Sequence, residues 1–197
     1  AAHCNVVEDG DLDLLAESGA FPIFCPTTHG IGGKPMNTNY LSKLNVDWGI
    51  GTDCSGGNDD YDMFEEMRTA LVLNNSVAKD NFIKPKDIFR KASEENISRI
   101  SGGVFSGTLS KNQKADFITI STNTPRMQPL HDVINNIVMC ASSKEVKDVY
   151  IDGECIVKDS KFQNIDEEII LEEGTNAINT LFTKTGFDKK ILDGDFS

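Results

Sequence analysis

Short apolar runs and amphipathic stretches alternate through the first hundred residues. "AAHC" is a short apolar piece. In "DLDLLAESG", Leu12, Leu15 and Ala16 share one helical face and Gly19 stands where a C-terminal cap belongs. "AFPIFCP" reads as a buried strand. "NTNYLSKLN" reads as a short helix capped by Asn37 or Thr38, and "VDWGIG" as a second strand. "DYDMFEEMRTALVLNNSV" carries Met63, Met67, Ala70, Leu71 and Asn74 along one stripe, which predicts a long helix. "KPKDIFRKASEENISRI" predicts another, with Pro85 in its first turn. Strands alternating with helices imply an α/β fold, a parallel sheet with helices outside.

The character changes near Ser101. "SGGVFSGTLSKNQKADFITIS" is rich in Gly and Ser and then turns strand-like. "VKDVYIDGECIVKDS" holds two β runs around Asp152-Gly153, a hairpin signal. Residues 101–164 therefore read as a small β domain after a βα region over 1–100. "DEEIILEEGTNAINTLFTKTG" predicts an amphipathic helix that starts with acidic residues, as its dipole favours. With a polar, loosely held tail, this helix makes up 165–197.

The 197 residues suffice for one good core, or for one core and a small second domain. Nineteen basic against 31 acidic residues leave a net charge of −12, which disfavours nucleic acid and anionic membrane as partners. No apolar run reaches the length of a bilayer span, and no basic leader with an apolar core is present. Five cysteines, none in a C-x-x-C, argue against a thiolate zinc site and for reduced thiols in a cytoplasmic protein. Their plain reading is as small buried hydrophobes. The start at "AAHCNVVEDG", without Met, reads as the middle of a fold.

Candidate chemistry gathers around "GIGTDCSGGNDDYDMFEEMR". Asp53 follows an apolar run directly. It is either a turn and helix-cap residue or a group projecting from the carboxyl end of a strand. His3 stands at the end of an earlier strand, and parallel strands bring such ends to one rim. His3 and Cys4 do not form a dyad on a strand, since neighbouring side chains point to opposite faces. Glu65, Glu66 and Arg68 read as the solvated side of a helix. Gly56-Gly57 lacks the Lys-Ser/Thr of a phosphate loop and reads as a tight turn near the site. His131 reads as a loop residue.

"AHCNVVEDGDLDLLAESGA", "FCPTTHGIGGKP" and "LSKLNVDWGIGTDCSGGNDDYDMFEEMR", in that order, resemble the metal-dependent amidohydrolase superfamily. The nearest branch is that of the deaminases and chlorohydrolases, including the S-adenosylhomocysteine and methylthioadenosine deaminases. "GTLSKNQKADFITI" and "VKDVYIDGECIVKD" are similar to later segments of that family. The resemblance implies the C-terminal part of a (β/α)8 TIM barrel, with part of an appended β-sandwich. It implies a divalent zinc or iron bound by the aspartate after strand eight, matched by Asp53, which also takes a proton from the metal's water. The histidine after strand six, beside water and substrate, is matched by His3. Water at pH 7 is a poor nucleophile until a metal lowers its pKa from ~16 to about 7.

The chain departs from that pattern in several places. The family's H-x-H pair and the histidine after strand five have no counterpart among its three histidines. Thr28 and His29 stand where the family usually has Ser-Asn. His29 either faces the pocket as a substrate contact or is a solvated loop residue. Asn112-Gln113 replaces a Gly, and "ASEENISRISG" lacks a small Gly-Ala pair. About three of eight βα units are represented. The expectation is therefore a C-terminal portion of a longer enzyme that associates with itself or with the missing N-terminal half. The metal would be absent or weakly held in this portion alone. The implied activity is hydrolytic deamination of a purine-type or related small heterocycle. The alternatives are chlorohydrolase or cyclic amide hydrolase chemistry, or a non-catalytic split half acting through a partner chain.

Overall fold

Ala2, β1 (Ile23–Phe24) and β2 (Gly49–Ile50) lie side by side and run in the same direction. Ala2 bridges Ile23, Ile23 pairs with Gly49, and Phe24 pairs with Ile50. The computed structural model describes residues 1–80 and 82–185, so the expected polar tail lies outside the described residues beyond Thr185. The two strands are shorter than their apolar runs. Pro22 and Pro26 flank β1, and a proline has no N–H to give to a ladder. Phe24, Trp48 and Ile50 are each 1% exposed, so the short sheet sits inside the core rather than on it.

Helices cover this sheet. α1 (Asp11–Ser18) ends at Gly19, whose φ of 68° supplies the left-handed cap. α2 (Pro26–Ile31) begins directly after β1, with Pro26 in its first turn. α3 (Thr38–Lys43) is capped by Asn37, whose Oδ1 accepts from the Tyr40 amide at 3.1 Å. A one-turn α4 (Ser55–Asn58) precedes α5 (Met63–Val77), which is capped by Asp62 through the Phe64 amide at 2.9 Å. The next helical stretch is not continuous. α6 (Pro85–Arg90) passes through a π turn, Lys91–Glu95, into α7 (Asn96–Ile100). The π turn brings Asn96 against β2, where its Oδ1 accepts from the Ile50 amide at 3.2 Å and its Nδ2 donates to the Ile50 carbonyl at 2.5 Å.

The later part of the chain forms an antiparallel sheet in sequence order: β3 (Phe117–Ile120), β4 (Val146–Ile151), β5 (Glu154–Lys158) and β6 (Lys161–Phe162). Asp152 and Gly153 turn the β4–β5 hairpin with φ of 51° and 84°. Between β3 and β4, α8 (Val133–Cys140) packs onto α5 and α6. Met127, Val138 and Ala141 thereby join Phe64 and Ile88 in one core cluster. α9 (Glu167–Thr185) forms as expected but buries none of its residues, with Leu171 71% exposed. Among the described residues, no helix is long and apolar enough to cross a membrane.

Candidate active site

The three parallel segments end on one side, and each is followed by a chain reversal. After Ala2 the backbone turns left-handed at His3 (φ 68°) and Cys4 (φ 50°), while the His3 amide still donates to the Ile23 carbonyl at 3.0 Å. Three residues beyond β2, Asp53 adopts φ 61°. His and Asp are among the few side chains that enter this region readily. The turns bring the two side chains together: His3 Nδ1 lies 3.9 Å from Asp53 Oδ2. The helix-cap reading of Asp53 does not hold, because the N-cap of α4 is Cys54. Asp53 Oδ1 instead accepts from the Cys54 amide at 2.8 Å, which pins the carboxylate. Its Oδ2 accepts no hydrogen bond among the described residues. Gly57 is a glycine because a Cβ there would stand 2.9 Å from Thr28 Oγ1 and 3.3 Å from Asp53 Oδ2.

His29 is not a solvated loop residue. It lies in α2 and is 2% exposed, because the helix starts at the last residue of the strand turn and rolls this position inward. Its Nε2 is 3.0 Å from His3 Nδ1, and its ring centroid is 5.3 Å from that of Phe24. Its Nδ1 is buried without a partner among the described residues. Burial, aided by the neighbouring His3 and opposed by Asp53, lowers its pKa to about 4, so the ring is neutral at pH 7.

Glu66 is not on a solvated face, and Arg68 is half-buried with its guanidinium engaged. Glu66 is 0% exposed; its Oε2 accepts from the Thr27 amide at 3.0 Å and its Oε1 from Asn58 Nδ2 at 2.5 Å. Burial raises its carboxyl pKa, and the Thr27 hydrogen bonds pull the other way. Glu66 ties the start of α2 to α4 and so sets the floor of the site. The sequence carried a signal for it, since position 66 falls on the same stripe as Met63, Met67 and Ala70. Arg68 donates to the Met139 and Ala141 carbonyls at 2.9 and 2.6 Å. His131 is exposed, as a loop residue would be.

Cys25 is buried, but it is not only a hydrophobe. Its thiol is pushed up to about 11 by burial and by the Asp53 and Glu66 carboxylates, against a hydrogen bond from the Asp53 backbone. One donor atom each from His3, Cys25 and His29 lies within 4.8 Å of the others. A free carboxylate oxygen beside an imidazole, as at Asp53 and His3, is a donor pair that fits a zinc-type ion.

The amidohydrolase family profile matches residues 1–156. The 5-methylthioadenosine/S-adenosylhomocysteine deaminase of Dictyoglomus thermophilum is 29% identical over 188 residues, which are 94% of this chain and 44% of that protein. The enzyme of the same name from Bacillus cereus is 31% identical over 176 residues, 88% of this chain and 40% of that one. A zinc-bound adenosine deaminase from Xanthomonas campestris superposes with a TM-score of 0.86 at 25% identity, over 93% of this chain and 42% of that chain. Atrazine chlorohydrolase from Arthrobacter aurescens, complexed with zinc, gives 0.78 at 17% identity over 89% and 39%, a likeness of fold. The chain thus spans about two fifths of the length of these relatives.

Proposed function

The chain belongs to the amidohydrolase family, and from that premise we propose that it supplies the Asp53–His3 side of the active site of a hydrolytic deaminase. The substrate class is a purine nucleoside or thionucleoside of the kind named for its relatives, 5-methylthioadenosine, S-adenosylhomocysteine or adenosine. The observation that carries this reading is the convergence of His3 and Asp53 at 3.9 Å beyond the ends of the two parallel segments that flank β1. We read those strands as C-terminal units of a (β/α)8 barrel over residues 1–100. Residues 101–164 are then part of an appended β-sandwich, and 165–197 a terminal helix and tail. The fold likeness to longer relatives supports this. The rest of the site would come from the length that this chain does not span, supplied as the missing N-terminal half or through another chain.

Deamination adds water to the ring carbon that bears the amino group and expels ammonia. Asp53 would hold the divalent ion in this chain; when bound, such an ion supplies Lewis acidity and makes water acidic near neutral pH. The Asp53 carboxylate takes the proton of the attacking water and returns it to the leaving amine, and Oδ2 is the oxygen free to do so. His3 has Nδ1 engaged by His29, which leaves Nε2 to hydrogen-bond the oxygen that develops on the ring. Burial of His29 keeps that partner neutral at pH 7.

The test is ammonia release from these three substrates by the protein carrying this chain together with the remaining family length. Asp53→Ala should lower kcat by at least about a hundredfold, the range of a lost proton-transfer group. Turnover within tenfold of the parent would reject the assignment.

A further inference from the structure

We propose that His3, Cys25 and His29 form a metal site of their own, taking a zinc-type divalent cation through two imidazoles and one thiolate. The inference shares His3 with the proposed active site but does not rest on the deaminase reading. Three observations carry it. First, Cys25 is the N-cap residue of α2 and His29 lies four residues on, so both side chains fall on one face of the same turn. Second, His3 comes from a different segment, held by its amide bond to Ile23 in β1, which ends one residue before Cys25. The site is therefore clamped from two sides by backbone hydrogen bonds. Third, the three donor atoms already lie within 4.8 Å of one another, with His3 Nδ1 and His29 Nε2 at 3.0 Å.

The chemistry suits the ion. Zinc takes Cys sulfur at ~2.3 Å and His nitrogen at ~2.0 Å, and three protein ligands leave a fourth position open. Binding draws the three donors closer than their present spacing of up to 4.8 Å. The local charge favours a cation, because Asp53 stands 3.9 Å from His3 Nδ1 and Glu66 is buried beneath α2. Binding breaks the Cys25 S–H bond and forms a metal–sulfur bond, and the proton leaves to the buffer, one per ion bound. A hard ion such as magnesium gains nothing from a thiolate, so the site discriminates by softness.

The experiment is titration of the purified chain with cobalt(II), followed by displacement with zinc. One cobalt per chain should bind, with a sulfur-to-cobalt charge-transfer band in the near ultraviolet and intense visible bands of tetrahedral coordination. Cys25→Ser should remove the charge-transfer band. His29→Asn should weaken binding at least about tenfold. His3 is half-exposed, so His3→Asn leaves packing intact and should lower affinity likewise; far-UV circular dichroism monitors the fold of all three. Cys54→Ser and Cys4→Ser should change nothing. Asp53→Asn should keep the charge-transfer band, so failure of the deaminase reading would leave this result standing. Cobalt bound without a sulfur band, a band that survives Cys25→Ser, or affinity unchanged in both histidine variants would overturn the proposal.

Discussion

His29 is the residue whose burial has a measurable consequence. Its imidazole has a folded-state pKa of about 4 against 6.5 for a free histidine, so the unfolded chain takes up the proton first. Stability from this group is complete above about pH 6.5 and falls as the pH drops toward about 4. Between pH 7.5 and pH 5 the loss should be about 2 kcal/mol in the metal-free chain. Urea denaturation at both values checks it: His29→Asn should lose about that much less than the parent, and coincident pH slopes would reject the burial effect. The meeting of Asp53 and His3 was legible in the sequence, because each follows an apolar run directly and parallel strands bring such ends to one rim; the roles proposed for them rest on the family resemblance. The Met63–Met67 stripe signalled the burial of Glu66, and Cys25 is buried as its plain reading had it, but the burial of His29 and the polar partners of all three were not legible. Whether a polar side chain is buried depends on partners such as Thr27, Asn58 and Phe24, which lie on other elements or, like Thr27, form contacts only when α2 coils.

At the scale of elements, the alternation of apolar runs and amphipathic stretches gave the order of β1, β2, α1, α3, α5 and the α6–α7 stretch, but not the short α2 and α4, nor α8 inside the expected β domain. Asn37 and Gly19 cap α3 and α1 as the sequence led one to expect, and Asp62 caps α5 without having been singled out. What the pattern could not give was the π turn between α6 and α7, because the helical period runs through it without a break. Its effect is to seat Asn96 on β2 as a substitute for a neighbouring strand. The side-chain amide pairs with both the N–H and the C=O of Ile50, the outward-facing groups of that strand. Asn96 is 7% exposed, so these bonds are shielded from water. Asn96→Ala should leave both Ile50 groups unpaired and lower stability by about 1–3 kcal/mol in denaturant titration. It should also open a strand edge, so sedimentation should show more self-association at equal concentration. A variant as stable and as monomeric as the parent would reject that role.

For the whole molecule, the question is whether the parallel and antiparallel regions behave as one body. The chain passes from one to the other through residues 101–116, and α8, set between β3 and β4, packs back onto the parallel region, where three contacts fasten it and the segments around it to α5. Arg68 reaches the Met139 and Ala141 carbonyls, Asp62 Oδ2 accepts from the Ser143 amide at 2.9 Å, and Met127 and Val138 enter the core beside Phe64. The carbonyls at the end of a helix have no intrahelical partners, so a guanidinium there meets both a hydrogen-bonding and a dipole demand. Two probes report the two regions separately. Trp48, the only tryptophan, lies in the parallel core, and Phe117 stacks on Tyr150 in the antiparallel sheet with ring centroids 4.5 Å apart. In the parent, tryptophan fluorescence and the near-UV dichroism of the stacked pair should lose their native signals in one coincident transition. Arg68→Ala removes the charged donors and should cost about 2 kcal/mol. It should also separate the two transitions, since what then fastens the regions is the Asp62–Ser143 hydrogen bond and the apolar packing of α8 on α5 and α6. Coincident curves in the variant would mean that the shared apolar core, not the arginine, makes the regions one cooperative unit.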